Sequence, residues 1–197
     1  MTAQTHETRE QWLNAFVALA RPQFIAAGFP LPELVRVSVG FTSTGARGNR
    51  IGECWSNAAS EDGYFEIFLR PTLTSDSRMA DVLTHELCHA AVGLEAGHGA
   101  SFKACANALG LTGKMRSTVA SEDWYRWALP VLTELGPMPY GVLNEGKSSA
   151  PPKQKTNLLK VECDTCGWLA RVTNKHIEPH GELHCPVPSC EGTLTVS

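Results

Sequence analysis

The chain has 197 residues, 43% of them hydrophobic, with 17 Lys+Arg against 20 Asp+Glu and a formal net charge of −3. That length allows one ordinary domain plus a small module, and that composition is enough for a packed core. No apolar run is long enough to span a membrane, the polar stretch Met1 to Glu10 carries no signal-peptide pattern, and the acidic balance excludes a broadly basic surface for nucleic acid. A cytoplasmic location is therefore expected, where the seven cysteines read as thiols or metal ligands rather than disulfides.

Trp12, Phe16 and Leu19 recur at helical spacing and predict a helix over 7–21. From Leu34 to Phe41, Val35, Val37 and Val39 alternate with Leu34, Arg36 and Ser38, the period of a half-buried strand. Thr42 to Asn49 is a glycine-containing loop. A short strand is expected around Gly52 to Ser56, a turn at Glu61-Asp62-Gly63, and a strand from Tyr64 to Leu69. A long helix follows, with Asp76 or Ser77 as its cap and its end near Ala96. Ser101 to Leu109 predicts a second helix closed by Gly110, and Glu122 to Leu135 a third that Pro130 would kink or split. Residues 1–140 form the expected main domain. Gly141 to Asn157 has no apolar period and contains a proline pair, so it reads as a linker. Residues 158–197 are left as a small module, with strand-like pieces at Trp168 to Val172 and Thr193 to Val196.

The long helix carries His85-Glu86-Leu87-Cys88-His89. Each helical residue turns the direction by about 100°, so His85 and His89 share a face and can grip one metal ion. Glu86 sits beside that face, within reach of an activated water. This H-E-x-x-H spacing is the zinc-hydrolase pattern, with the glutamate as general base. A chance surface helix is the bland alternative. Leu83, Leu87, Ala90, Ala91 and Leu94 argue against it, because a buried helix seldom carries such polar groups without partners.

Two residues compete as third ligand. Glu95, six residues beyond His89, would point away from the metal on a continuing helix. His98 follows Gly97, which can end the helix and swing the chain back, and it is the favoured choice. Three histidines leave the open fourth position of a catalytic zinc. The spacing differs from the metzincin pattern, since Val92 stands where that pattern has glycine.

Thr84-His85-Glu86-Leu87-Cys88-His89-Ala90, followed by Gly97-His98-Gly99-Ala100-Ser101-Phe102-Lys103, resembles the SprT-like metalloproteases, the family that includes Spartan. Ile51 to Trp55 and Phe65 to Pro71 resemble the two strands preceding that family's metal helix. The resemblance covers residues 34–110 best. It implies an α+β fold: a minimal zincin-like domain with a small sheet packed on the metal helix. It also implies a protease acting on proteins bound or crosslinked to DNA, with DNA, single-stranded above all, as activator. A monomer is expected.

The small module holds Cys163-x-x-Cys166 and, after eighteen intervening residues, Cys185-x-x-x-x-Cys190. These four cysteines can close a structural zinc site and make the module a zinc ribbon, with His184, His176 and His180 as rival ligands. Some forty residues bury too little core to fold well without such a staple. Arg36, Arg47 and Arg50 form one candidate DNA patch, and Lys103, Lys114 and Arg116 another, although an ordinary solvated surface is the plainer reading of both. Trp168 could stack on an unpaired base, although ribbon packing is its plainer role. Tyr64 or Tyr125 could supply a second electrophile, although packing is the plainer role for each. Cys54, Cys88 and Cys105 need no chemical role. Two other functions stay open: a DNA-binding regulator on a protease-like scaffold, and a zinc hydrolase of a non-protein amide.

Overall fold

The computed structural model describes residues 6–73, 75–139, 141–144, 158–177 and 181–196. The chain divides into two compact units, 1–147 and 148–197. The described residues form a mixed α+β structure. None of their helices is long and apolar enough to cross a membrane.

The first unit runs α1 (Arg9–Ala26), β1 (Val35–Val39), β2 (Gly52–Trp55), β3 (Phe65–Leu69), α2 (Asp76–Val92), α3 (Ala100–Ala108), β4 (Leu111–Lys114), β5 (Ser117–Ala120) and α4 (Glu122–Leu135). Helix α1 starts in a capping box, in which the Thr8 hydroxyl accepts from Gln11 N–H and the Gln11 side chain accepts in return. It extends five residues past the expected 7–21, through Pro22. Trp12, Phe16, Ala20 and Phe24 lie four apart and are fully buried, so burying Phe24 outweighs the proline's lost hydrogen bond. Helix α4 likewise runs unbroken through Pro130.

The three-stranded sheet has the order β1-β3-β2, with β1 parallel and β2 antiparallel to β3. The outer edge of β1 is covered by α1. Asn14 donates to Val37 O and accepts from Val37 N–H, and Glu10 accepts from Val39 N–H. Helix α2 packs across β2 and β3. Its cap is Ser75, whose hydroxyl accepts from Arg78 N–H, rather than Asp76 or Ser77. It stops at Val92, four residues before the expected end, because Gly93 turns to φ 85°.

Strands β4 and β5 form an antiparallel hairpin that the sequence reading left unassigned. Met79, Leu83 and Leu87 of α2 join Trp12, Phe16, Phe102 and Trp124 in one core. The Trp124 indole donates to Thr84 Oγ1 (3.0 Å), which donates to Ala80 O (2.8 Å), so the polar atoms beneath the metal helix are paired.

Most of the expected linker, residues 145–157, lies outside the described residues. Residues 141–144 are described and are tied to the first unit. The buried Arg9 guanidinium donates to Gly141 O and Pro71 O, and Leu143 N–H donates to Pro71 O.

The second unit is an antiparallel sheet of β6 (Leu158–Cys163), β7 (Leu169–Thr173) and β8 (Leu194–Val196), in the order β7-β6-β8. Its fully buried apolar centre among the described residues is Val161, with Cys163 beside it.

Candidate metal centres

Helix α2 places His85 and His89 one turn apart. Gly93 then ends the helix, Leu94 to Ala96 make a 3₁₀ turn, and Gly97 adopts φ 51°, ψ −127°, a conformation open essentially to glycine alone. That reversal carries His98 back over the helix. His98 Nε2 lies 3.2 Å from His89 Nε2 and 3.3 Å from His85 Nε2, so three imidazole nitrogens converge on one point. Glu95 is exposed on the 3₁₀ turn and is not part of this group.

The triad is held from behind. Phe102 of α3, fully buried, sets its ring 4.3 Å from that of His89, 4.8 Å from His85 and 4.9 Å from His98. Thr118 of β5 places its hydroxyl 2.9 Å from His85 Nδ1. An Nδ1–H donating there leaves Nε2 free as a ligand, the usual support for a metal-binding imidazole. Thr118 and Phe102 have no place in the helical spacing that revealed the histidines. The phenylalanine stood within the motif by resemblance, but nothing local marked the threonine.

Burial, then the nearby histidines, hold His85 down at about 3, and burial with His98 holds His89 down at about 4. Burial, then the charge of Arg116, also lowers His98. All three are neutral at physiological pH, with lone pairs available to a cation.

Glu86 is buried beside the triad and is not one of its converging groups. Its space exists because position 52 is glycine. A Cβ there would fall 2.6 Å from Glu86 Oε1 and 2.8 Å from Val82 Cγ1. Backbone N–H of Cys54 donates to the Glu86 carboxylate. Burial, then the charge of Glu53, pushes Glu86 up to about 8. A divalent cation beside it would pull it back down. Cys54 forms part of the cleft wall, and burial followed by the Glu86 charge drives its thiol up to about 12, which keeps it protonated. Cys88 and Cys105 are fully buried.

The triad and Glu86 line a cleft of about 410 Å³. Its other walls include Gly52, Glu53, Arg78, Arg116 and Thr118. Tyr64 and Tyr125, the candidate second electrophiles, do not line it and take the packing role that was the plainer reading. Arg36 stacks 4.6 Å over the Tyr64 ring, and Tyr125 packs edge-on to Trp124.

Residues 22–121 match the family model described as the SprT-like family, a stretch that holds all three histidines, Glu86, Phe102 and Thr118. The chain belongs to the SprT-like family. That membership carries a metallopeptidase-like function. No curated protein and no solved structure matches the chain.

In the second unit the four cysteine sulfurs lie within 4.8 Å of one another. Cys163 and Cys190 are 3.7 Å apart, and Cys166 and Cys185 3.6 Å. Tight backbone turns aim at the sulfurs. Cys166 N–H points at Cys163 Sγ (3.5 Å), and the amides of Cys166 and Thr165 lower Cys163 to about 7. Asp164 ties the two turns together by accepting from Thr193 N–H (3.0 Å) and Thr193 Oγ1–H (2.8 Å). Gly192 must be glycine for this closeness, since a Cβ would lie 2.6 Å from Cys163 Sγ. His184 bridges to Thr193 through its backbone and is not in the cluster. The side chain of His176 and all of His180 lie outside the described residues.

The arginines proposed for DNA are placed as follows. Arg36 is engaged by Asp62 (2.9 Å) and Glu66 across the sheet, and Arg50 by Glu53. Arg47 is exposed in the loop before β2, with Lys103 and Lys114 exposed elsewhere. Trp168 is half-buried. The pairing of Arg36 has no local signature in the sequence, because Asp62 and Glu66 are distant along the chain and Glu66 meets it only through the sheet register, Arg36 opposite Glu66.

Proposed function

We propose that the first unit is a zinc-dependent endopeptidase of minimal zincin type. The observation that carries this is the convergence of three neutral imidazole nitrogens beside a buried carboxylate that is not one of them. The donor set fits zinc: three nitrogens, one pre-aligned by Thr118, with cleft space left for a fourth ligand. Zinc bound there would act as a Lewis acid, sharpening water as a nucleophile and polarising the peptide carbonyl. Glu86 takes the proton from the attacking water and hands it to the leaving nitrogen. Gly52 and the Cys54 amide hold the carboxylate in place for both transfers. Phe102 keeps the imidazoles from rotating.

The second unit, in this reading, is a zinc ribbon closed by Cys163, Cys166, Cys185 and Cys190. The substrates are proteins bound or crosslinked to DNA, and single-stranded DNA activates cleavage. Support for this part is the motif resemblance to Spartan-type proteases. With Arg36 and Arg50 already paired to carboxylates, Arg47 and the second unit with Trp168 are the stronger candidates for DNA contact. The test is cleavage of an unstructured protein by the full chain, with and without single-stranded DNA, against Glu86→Gln. DNA-stimulated cutting that the variant lacks supports the whole reading. Binding without cutting supports a regulator on a protease-like scaffold. Neither binding nor cutting leaves a hydrolase of another amide.

A further inference from the structure

Peptide hydrolysis passes through a tetrahedral state whose carbonyl oxygen carries negative charge, and a positioned cation or hydrogen-bond donor there is commonly a large source of rate. Neither tyrosine first considered for that task reaches the cleft. Three arginines do: Arg50, Arg78 and Arg116. Two are already committed. Arg50 is paired with Glu53, and Arg78 grips Asp81 at 2.8 Å. Arg116 forms no ion pair among the described residues. The neutral donors on the same walls are weaker candidates, because charge-assisted hydrogen bonds are roughly twice as strong as neutral ones. One of them, Thr118, is occupied by His85.

Position supports the same choice. Arg116 belongs to the two-residue connection between β4 and β5, whose last ladder pair is Lys114 with Ser117. The hairpin is pinned to α2 at two points, Thr118 Oγ1 to His85 Nδ1 and Ala120 N–H to Asp81 Oδ2. The hairpin is therefore anchored beside the triad, and its exposed Arg116 lines the cleft wall.

We propose that Arg116 is a catalytic residue that meets the scissile carbonyl oxygen as it becomes an oxyanion, an inference that rests on the peptidase reading above. Its guanidinium donates N–H to that oxygen while Glu86, which lines the same cleft, handles the proton. An arginine with no carboxylate partner among the described residues can give its full charge to the transition state without first breaking an ion pair.

The experiment measures kcat and KM for the full-length chain and for Arg116→Ala, Arg116→Lys and Glu86→Gln. The probe is an internally quenched peptide with neutral side chains, single-stranded DNA is present throughout, and zinc content is measured for each protein. Arg116→Ala is expected to lose about 10²–10³-fold in kcat, with KM within about twofold and zinc unchanged. Arg116→Lys should recover part of the loss. Added guanidinium ion at millimolar concentration should raise the rate of Arg116→Ala and leave Glu86→Gln unmoved. A wild-type kcat in Arg116→Ala, a loss confined to KM, or a loss that tracks missing zinc would each overturn the assignment. If the wild type fails to cut, or cuts no faster than Glu86→Gln, the peptidase reading falls and the role of Arg116 falls with it.

Discussion

The two candidate metal centres are built by opposite means. In the first unit His85 and His89 stand on a helix already fixed by a core containing Trp12, Phe16, Leu83, Leu87, Phe102 and Trp124, and His98 is returned to it by the turn that follows. In the second, the cysteines hang on backbone turns, and the fully buried apolar side chain among the described residues is Val161. The first site is a product of its fold, while the second has little fold to stand on without its metal. Protonation draws the same contrast. The imidazoles are neutral and ready for a cation, whereas backbone amides lower the Cys163 thiol to about 7 while desolvation raises Cys185 to about 12.

The largest expected effect breaks the second unit alone. Cys166→Ser, or strong chelation, should unfold the residues after 158 while the first unit stays folded. Structural zinc contributes on the order of 10 kcal/mol to such modules. Amide hydrogen exchange read separately over the two units checks this. Protection that survives chelation in β6 and β7 would show a self-sufficient sheet.

Next comes the chemistry of the first centre. Glu86→Gln should keep zinc and melting temperature and lose about 10²–10⁴-fold in turnover. A variant that also loses its metal would make Glu86 a ligand rather than a base.

A smaller effect is expected at the support of His85. Thr118→Val removes the hydroxyl at Nδ1, and loss of such a partner typically weakens metal affinity about 10- to 100-fold. Competition with a chromogenic chelator measures it, and an unchanged affinity would mean that Phe102 alone orients the ring. Gly52→Ala should cost about 1–3 kcal/mol of overpacking and should also lower turnover, because the methyl group meets Glu86 Oε1 and Val82. Urea unfolding and steady-state rates separate the two consequences. Full activity would mean that Glu86 can reach its task from a shifted position.

What could be read from the sequence was whatever lay within one or two turns of chain. His85, Glu86 and His89 follow from helical spacing, and His98 from a glycine that can reverse the chain. The strands before α2 were visible as alternation, to within one or two residues at each end. The hairpin of β4 and β5 was not, because Leu111 to Ala120 mixes threonine and valine with Gly113, Lys114 and Arg116 and shows no clean period. With it went Thr118 and Arg116, which reach the site only by tertiary packing. Glu61-Asp62-Gly63 was legible as a turn, but the grip of Asp62 on Arg36 was not. Gly52 looked like an ordinary strand residue until Glu86 was found in the space its side chain would fill.

The central claim is that His98, and not Glu95, completes the catalytic centre while the four cysteines hold a second ion. Zinc content per chain, measured on wild type, His98→Ala and Glu95→Ala purified without chelator, tests it most directly. The expected result is two ions in wild type, two in Glu95→Ala, and one in His98→Ala, with the remaining ion lost on further mutation of Cys166. A single ion in wild type, or an ion lost in Glu95→Ala and kept in His98→Ala, would contradict the account.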